Sequence, residues 1–479
     1  MNVLLTGATG YVGRRLLTAL SGEPDVRLRL LVRNASKLGT VPDGIEIIEG
    51  STFDRDVLAR AMAGVETAYY LVHSMGAGKD FSALERTSAE NFRETAIEAG
   101  VKRIVYLGGL GTKETASEHL LSRIETGEIL SARPDRIETI WFRAGIIIGS
   151  GSASFEIVRN LVEKLPILIT PRWVGTRTQP IGIADVLAYL QAARSVQTSG
   201  NVVVDIGAEA MSFRDMLLGS AHVLGLRRRL VPVPFFSPRL SSYWLILMTP
   251  VPFRIARALV EGLKSETVAV NDEAKRLFPE VRPASFAAAF SGALAEIERH
   301  QVLSRWCDSS AGPVCDIPAK DGDISRAVYR DVRRADLGPV SAPDAFRSVQ
   351  SLGGPRGWLT LNALWRIRGI WDKLAGGPGL NRGRRDPSNL RIGDGLDFWK
   401  VVDLRPEQRL LLAAEMKIPG KAWLEFSIEG AELVQTAHFL PMGLFGRIYW
   451  WIMKPAHAII FPAMLRRIIA SARTPLHRF

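Results

Sequence analysis

From residue 1 to about residue 190, short apolar runs rich in β-branched residues alternate with helix-length amphipathic stretches. The runs NVLLTG, VRLRLLVR, IEII, TAYYLVH, KRIVYLGG and IETIWFRAGIII are nearly continuous in apolar character and are bounded by Gly, Asp or Arg. That is the pattern of strands covered on both faces of a parallel sheet. Between them, 81–99 and 117–132 read as helices, so the fold class is α/β with a doubly wound parallel sheet.

The rhythm then changes. NVVVDIGAEAMSFRDML, 201–217, gives one more strand and helix, and an oily segment follows over 235–263. SRWCDSSAGPVCDIPAKDGD, 304–323, is rich in Ser, Pro, Gly and Asp and reads as a linker. Beyond it LDFWKVVDL, RLLLAAEMK, KAWLEFSIE and ELVQTAHFL form consecutive strands with short turns, and GRIYWWIMKPAHAIIFPAMLRRIIASA closes the chain as a long amphipathic helix. The expected organisation is a domain over 1–303, with a substrate-pocket region from about 200, a linker over 304–323, and an α+β domain over 324–479. This second domain resembles the START/polyketide-cyclase helix-grip fold, whose concave sheet wraps a C-terminal helix around an apolar cavity. Trp358, Trp365 and Trp371 recur at helical spacing and read as a packing stripe.

The first strand ends in TGATGYVG, Thr6 to Gly13. Gly7 permits a tight turn, Gly10 lets the backbone approach a pyrophosphate, and Gly13 lets the following helix pack closely on the strand, its N-terminus facing the phosphates. Thr6, Thr9, Tyr11 and Val12 complete this dinucleotide-binding turn. Twenty residues past Gly13, where an acidic residue would accept from a ribose 2′-hydroxyl, stands Arg33. A guanidinium there grips a 2′-phosphate, with Asn34, Ser36 and Lys37 as further donors, so NADP(H) is expected rather than NAD(H). Asp54, after the third strand, is placed either to reach the adenine amino group or to cap a helix.

TGATGYVG, Arg33, YLGGLG after strand five and TQPIGIADVLAYL over 178–190 together resemble the atypical extended short-chain dehydrogenase/reductases, the branch that is NmrA-like and similar to accessory subunits of complex I. The resemblance covers residues 1–300 or so and implies an NAD(P)-binding Rossmann domain. In that family the loop after strand four flanks the nicotinamide, which implies a cofactor role for Leu71, Val72, His73 and Ser74. The combination of such a domain with a helix-grip domain also resembles a group of bacterial proteins of unassigned role.

The chain departs from the family at its acid–base residues. Gly108 or Gly109 stands where a serine is expected, and His119 and Arg123 stand for the Tyr-x-x-x-Lys pair. Spacing i, i+4 keeps both on one helix face. Lys beside Tyr favours phenolate, whereas a cation beside an imidazole disfavours its charged form. His119 is therefore expected to polarise a carbonyl as a neutral hydrogen-bond donor, with Arg123 holding the nicotinamide ribose. The bland alternative is a helix whose His and Arg are merely solvated, with Arg123 paired to Glu125 or Glu128.

Composition narrows the remaining choices. Residues are 47% hydrophobic and the formal charge is +12. The arginines are spread along the chain apart from short runs such as RGRRD and LRRIIASAR, which suits a solvated basic surface or peripheral contact with an anionic membrane and gives no nucleic-acid partner. The N-terminus has no basic n-region, and YWLILMTPVPF, the longest apolar run, carries two prolines and falls short of the ~20 residues that cross a bilayer. A cytoplasmic protein, peripheral to the inner membrane at most, is expected. Cys307 and Cys315 fit no metal or redox motif, His438 and His457 read as structural, and no metal site is expected.

These features lead to an NADPH-binding oxidoreductase acting on a hydrophobic quinone, isoprenoid or polycyclic carbonyl or enone. Trp244, Leu247, Met248, Phe253, Phe155 and Trp173 would line its pocket, unless they simply fill a core. The competing reading is a non-catalytic NADP(H)-binding redox sensor or an assembly factor for a membrane respiratory enzyme, which the missing Tyr, Lys and Ser favour.

Overall fold

A computed structural model describes residues 1–38, 41–72, 81–198, 200–233, 259–262, 265–299, 302–304, 324–374, 379–380, 386 and 389–473. The chain divides into two compact units, Met1–Ile317 and Pro318–Phe479.

The first unit runs β1 (Asn2–Thr6), α1 (Tyr11–Ser21), β2 (Arg27–Val32), β3 (Glu46–Glu49), α2 (Arg55–Met62), β4 (Thr67–Tyr70), α3 (Phe81–Glu98), β5 (Arg103–Gly109), α4 (Glu118–Leu130) and β6 (Glu138–Ala144). It continues through β7 (Ile147–Ile148), α5 (Ala153–Lys164), β8 (Ile167–Pro171), β9 (Arg177–Thr178), β10 (Ile181–Gly182), α6 (Ile183–Ala192) and β11 (Val202–Ile206). Then come β12 (Met211–Ser212), α7 (Phe213–Val223), β13 (Arg229–Val233), α8 (Glu273–Leu277) and α9 (Phe286–Glu298).

Seven strands form a parallel sheet in the order β11-β6-β5-β4-β1-β2-β3. Strand side chains alternate between two cores. Val3, Leu5 and Phe142 meet Leu16, Leu20 and Tyr189 on one face. Leu4, Tyr70 and Tyr106 meet Leu58, Phe92 and Leu130 on the other. Two apolar faces explain why the strands read as continuous apolar runs. The strand order switches between β1 and β4, which places a crevice at their carboxyl ends.

IETIWFRAGIII, expected as one strand, divides into β6 and β7. A Cβ on Gly145 would lie 1.9 Å from the Gln179 carbonyl oxygen, so the chain leaves the sheet where another segment passes against its backbone. Ile147 and Ile148 pair instead with β10. Phe155 is fully buried in a third core with its ring 4.9 Å from that of Phe290, so it is a packing residue and not a pocket wall. Trp244, Leu247, Met248 and Phe253, and the side chain of Trp173, lie outside the described residues.

The second unit contains β14 (Tyr329–Asp336), α10 (Ala342–Gln350), α11 (Asn362–Leu374), β15 (Gly395–Leu396), β16 (Trp399–Arg405), β17 (Arg409–Ala414), β18 (Gly420–Glu429), β19 (Glu432–Pro441) and α12 (Gly443–Ala472). Its sheet is antiparallel in the order β14-β19-β18-β17-β16-β15. Trp358, Phe398, Phe426 and Phe439 pack with Trp450, Met464, Leu465 and Ile468 of α12 in one core. The four strands read from the sequence are β16 to β19. β14, YRDVRRAD, went unread because charged side chains fill it, and β19 supplies the pairing that holds it extended.

The tryptophan stripe is shorter than expected. Trp358 is buried, donates from Nε1 to Asp397 Oδ2 at 2.9 Å and lies 5.4 Å from Trp365, whereas Trp371 faces solvent. His438 and His457 are internal: Nε2 of His438 is 2.7 Å from Glu425 Oε2, and His457 stacks on Phe461.

Candidate cofactor and active site

The turn from β1 into α1 is set by three close approaches. Gly7 has φ of 75°, and a Cβ there would lie 2.3 Å from the Leu71 carbonyl oxygen at the end of β4. A Cβ on Gly13 would lie 2.1 Å from the Gly7 carbonyl oxygen, and Gly10 donates its N–H to that same oxygen at 2.9 Å. Only glycines let strand end, turn and helix share this space.

The first turn of α1 has no side-chain cap and no acidic residue. Ser117, Ser152, Ser212, Ser285 and Ser341 cap α4, α5, α7, α9 and α10 with their hydroxyls, whereas α1, like α6, α8 and α12, starts without a side-chain cap. Its N–H groups and macrodipole suit a pyrophosphate. Thr9, Gly10, Tyr11 and Val12 are partly accessible around it.

Two of the expected cofactor residues turn their side chains inward. The Thr6 hydroxyl donates to the Tyr69 carbonyl at 2.8 Å and accepts from Leu71 N–H at 3.3 Å, tying β1 to β4 beneath the turn. The Tyr11 ring has the Arg15 guanidinium 5.1 Å from its centroid, and its hydroxyl fills the space left by the missing Cβ of Gly149. Burial pushes that phenol well above its ordinary value, so its hydroxyl stays protonated at neutral pH.

Arg33 is exposed at the end of β2. Next to it the short helix Ala35–Lys37 is fixed from two sides: Glu49 accepts from the Ala35 N–H, and Arg14, in α1, donates to the Lys37 carbonyl. Arg14 is buried and its Nε has no partner. No sequence argument singled it out, although its position directly after Gly13 was a signal. Asp54 Oδ1 accepts from the N–H groups of Asp56 and Val57, both at 3.1 Å, so Asp54 serves as the helix N-cap of α2. Leu71 and Val72 are partly exposed at the end of β4; His73 and Ser74 lie outside the described residues.

At the end of β5 the structure brings Arg123 to the glycines. A Cβ on Gly109 would lie 3.7 Å from Arg123 Nη1 and 2.9 Å from the Leu120 side chain, while one on Gly108 would lie 2.7 Å from Trp141 Nε1. The serine position is thus vacated in favour of a guanidinium on one side and an indole on the other. Gly127 also makes room for Trp141, with a Cβ there only 2.3 Å from the ring. Arg123 and His119, both half-buried, lie one turn apart on α4.

The suggested pairing of Arg123 with Glu125 or Glu128 does not occur. Glu125 lies 3.7 Å from Arg86 and Glu128 2.7 Å from Lys113. Among the described residues Arg123 forms no ion pair, and its buried Nε has no partner. Its main-chain carbonyl accepts from the Tyr106 hydroxyl at 3.0 Å, and burial holds that phenol protonated. A buried carboxylate also went unread: Glu85, on α3, accepts from Ser122. It was concealed in a helix of mostly polar sequence.

The stretch 178–190 is tied to several segments that follow it in the chain. Gln179 donates to the Ala208 carbonyl at 2.7 Å and accepts from Ala269 N–H at 2.9 Å, and Thr267 donates to the Thr178 hydroxyl at 2.8 Å. Asp185 accepts from Ala284 N–H at 3.1 Å. The segment around 265–271 is thereby fixed near Gly111, whose Cβ would lie 4.0 Å from Thr267. Among the described residues no cluster of side chains could hold a metal ion, and no helix is long and apolar enough to cross a membrane.

Residues 7–134 match a family described as NAD(P)H-binding, and residues 324–464 match one described as a protein of unknown function (DUF2867). The chain is 25% identical over 271 residues to (4-alkanoyl-5-oxo-2,5-dihydrofuran-3-yl)methyl phosphate reductase of Streptomyces griseus subsp. griseus, a match covering 55% of this chain and 86% of that protein. It is 26% identical over 238 residues to ceramide reductase of Caulobacter vibrioides, covering 48% and 73%. A third relative, 22% identical over 308 residues and covering 58% and 90%, is the 4-hydroxy-2-methyl-3-oxo-4-farnesyl-3,4-dihydroquinoline-1-oxide ketoreductase of Stigmatella aurantiaca. The fold of triphenylmethane reductase from Citrobacter sp., solved with NADP(H), superposes with a TM-score of 0.50 at 19% identity, over 61% of this chain and 100% of that one. The first unit is an NAD(P)-binding Rossmann domain with reductase homologues, followed by a C-terminal domain of a family whose function is unknown.

Proposed function

We propose that this protein is an NADPH-dependent reductase of a hydrophobic carbonyl or conjugated enone. The observation that carries the reading is the Arg123 guanidinium beside Gly109, at the carboxyl end of β5, with no carboxylate paired to it among the described residues. A cation held there by α4 is placed to stabilise negative charge developing on a substrate oxygen.

The bare N-terminus of α1 with Gly7, Gly10 and Gly13 would hold the pyrophosphate, and Arg33 the 2′-phosphate. Glu49 is committed to the Ala35 N–H and does not replace the missing ribose-reading acid. Bound NADPH supplies a hydride. The chain's part is to orient the acceptor: Arg123 and the His119 ring N–H hold its oxygen, and water returns the proton. A conjugated bond, which demands less of an acid than a simple ketone, suits a site without Tyr and Lys.

A greasy substrate is supported by the relatives, two of which are named for a ceramide and a farnesylated quinoline. The second unit, read as START-like, would hold or deliver that ligand. The test is titration of the protein with NADPH and NADH, mass spectrometry of any ligand carried from cells, and NADPH consumption with long-chain or isoprenoid ketones and enones. Preference for NADPH with turnover of an apolar acceptor is expected. NADPH binding without turnover of any of them, together with co-purification of a membrane complex, would replace this reading with the redox-sensor or assembly role.

A further inference from the structure

The terminal helix α12 changes character halfway along its outward face. On its inner side Trp450, Ile460, Phe461, Met464, Leu465, Ile468 and Ile469 enter the core of the second unit. On the outer side the first four turns present Leu444, Phe445, Ile448, Trp451, Ile452 and Ile459 to solvent, with Phe445 79% and Ile452 68% exposed. The last turns present Arg466, Arg467 and Arg473 instead. A helix that is apolar all round needs a second apolar environment.

The charged residues that α12 itself carries share one sign. Arg447 and Lys454 are exposed among its apolar residues, and the Lys454 ammonium lies 4.8 Å from the centroid of the Trp451 ring. No Asp or Glu follows Glu432. Helix α11 repeats the pattern: Leu364, Ile367, Ile370 and Trp371 are exposed beside Arg366, while its one carboxylate, Asp372, is buried and accepts from the N–H groups of Gly379 and Lys417 at 2.9 and 2.7 Å. Exposed aromatic and aliphatic side chains interspersed, on these two helices, with exposed cations complement a surface that is apolar beneath and anionic on top. The residues 444–459 rise about 24 Å as a helix, short of the ~30 Å hydrocarbon core, so such a helix lies on a bilayer and does not cross it.

We infer that the second unit docks on anionic lipid bilayers through the outer face of the first half of α12, with the cations of α12 and α11 against the headgroups. This inference stands independently of the reductase reading. It would place the protein where apolar ketones and quinones dissolve.

The experiment is co-sedimentation of the full-length protein with vesicles of phosphatidylcholine alone and of phosphatidylcholine mixed with phosphatidylglycerol. Binding to the mixed vesicles is expected to be at least about tenfold tighter than to the neutral ones and to weaken with salt. The double variant Phe445→Asp, Trp451→Glu is expected to lose it while keeping the wild-type melting temperature and NADPH affinity. Arg466→Gln, Arg467→Gln, which leaves the apolar residues intact, is expected to weaken it by about tenfold. No binding of the wild type to anionic vesicles, or undiminished binding by the Phe445/Trp451 variant, overturns the inference. So does light scattering that shows a wild-type dimer dissociated by that variant, which would place a second copy on this face.

Discussion

The carbonyl oxygen of Gly7 stands 2.1 Å from where a Cβ on Gly13 would be. Turn and helix are in backbone contact, and nothing there can swing aside as a side chain could. Gly13→Ala must push α1 away from the turn, so it is expected to destabilise the first unit by about 1–3 kcal/mol. It should also weaken NADPH binding by more than about tenfold, because the helix N–H groups move with it. Gly22, at the other end of α1, has 3.7 Å to the nearest atom, and Gly22→Ala serves as the neutral control. Isothermal titration and thermal unfolding of both variants check this.

Arg33 and Arg14 are expected to play different parts in cofactor binding, and substitution separates them. Arg33, exposed at the end of β2, is expected to read the 2′-phosphate, so Arg33→Asp lowers NADPH affinity relative to NADH by about tenfold or more. Arg14 is buried and holds the Lys37 carbonyl. Arg14→Met loosens the loop for both nucleotides, and their affinities fall together. Equal losses from Arg33→Asp would show that Arg33 does not select the cofactor.

How much of this was legible depended on whether one local pattern carried the feature. The parallel sheet and the glycine turn are local: runs such as TAYY and the spacing of Gly7, Gly10 and Gly13 contain their own reason. The arrangement around Arg123 is not local, since it needs the missing Cβ atoms of Gly108, Gly109 and Gly127 to bring Trp141, Leu120 and Arg123 together. Sequence could show the absence of serine there but not what takes its place. Glu125 and Glu128 were plausible partners for Arg123 by spacing, yet Arg86 and Lys113, from other elements, hold them. β14 was unreadable because its pairing partner β19 lies about a hundred residues away and half of its own side chains face solvent.

His119 and Arg123 are both predicted to act on turnover, and His119 not on cofactor affinity. His119→Phe should lower kcat on the accepted substrate by about 10²–10⁴-fold, the usual range for a positioned proton donor or carbonyl-polarising group. Arg123→Met should lower it comparably, with NADPH binding unchanged if the guanidinium faces the substrate and weakened if it holds the nicotinamide ribose. Steady-state kinetics with direct NADPH titration separates the two. An undiminished rate in His119→Phe would move the donor elsewhere.

Acid should weaken the second unit through Glu425. Burial works against its charged form, but the His438 hydrogen bond at 2.7 Å and the Arg409 guanidinium at 2.6 Å outweigh that, and the carboxyl is held below its ordinary value. A carboxyl lowered on folding contributes stability that is complete above its unfolded pKa of about 4.3 and is lost as pH falls through the depressed folded value. The melting temperature of the second unit is therefore expected to be flat from neutral pH down to about 5 as far as Glu425 contributes, and to drop below about 4. Glu425→Gln cannot ionise, and it leaves Arg409 with Asp403 alone at 2.9 Å. That variant should melt lower than the wild type at neutral pH and show a shallower acid slope, the two curves converging as Glu425 protonates. Parallel curves across the whole range would assign the acid sensitivity to other carboxylates. Tryptophan fluorescence follows the transition, because Trp358, Trp399, Trp423 and Trp450 are all buried within this unit.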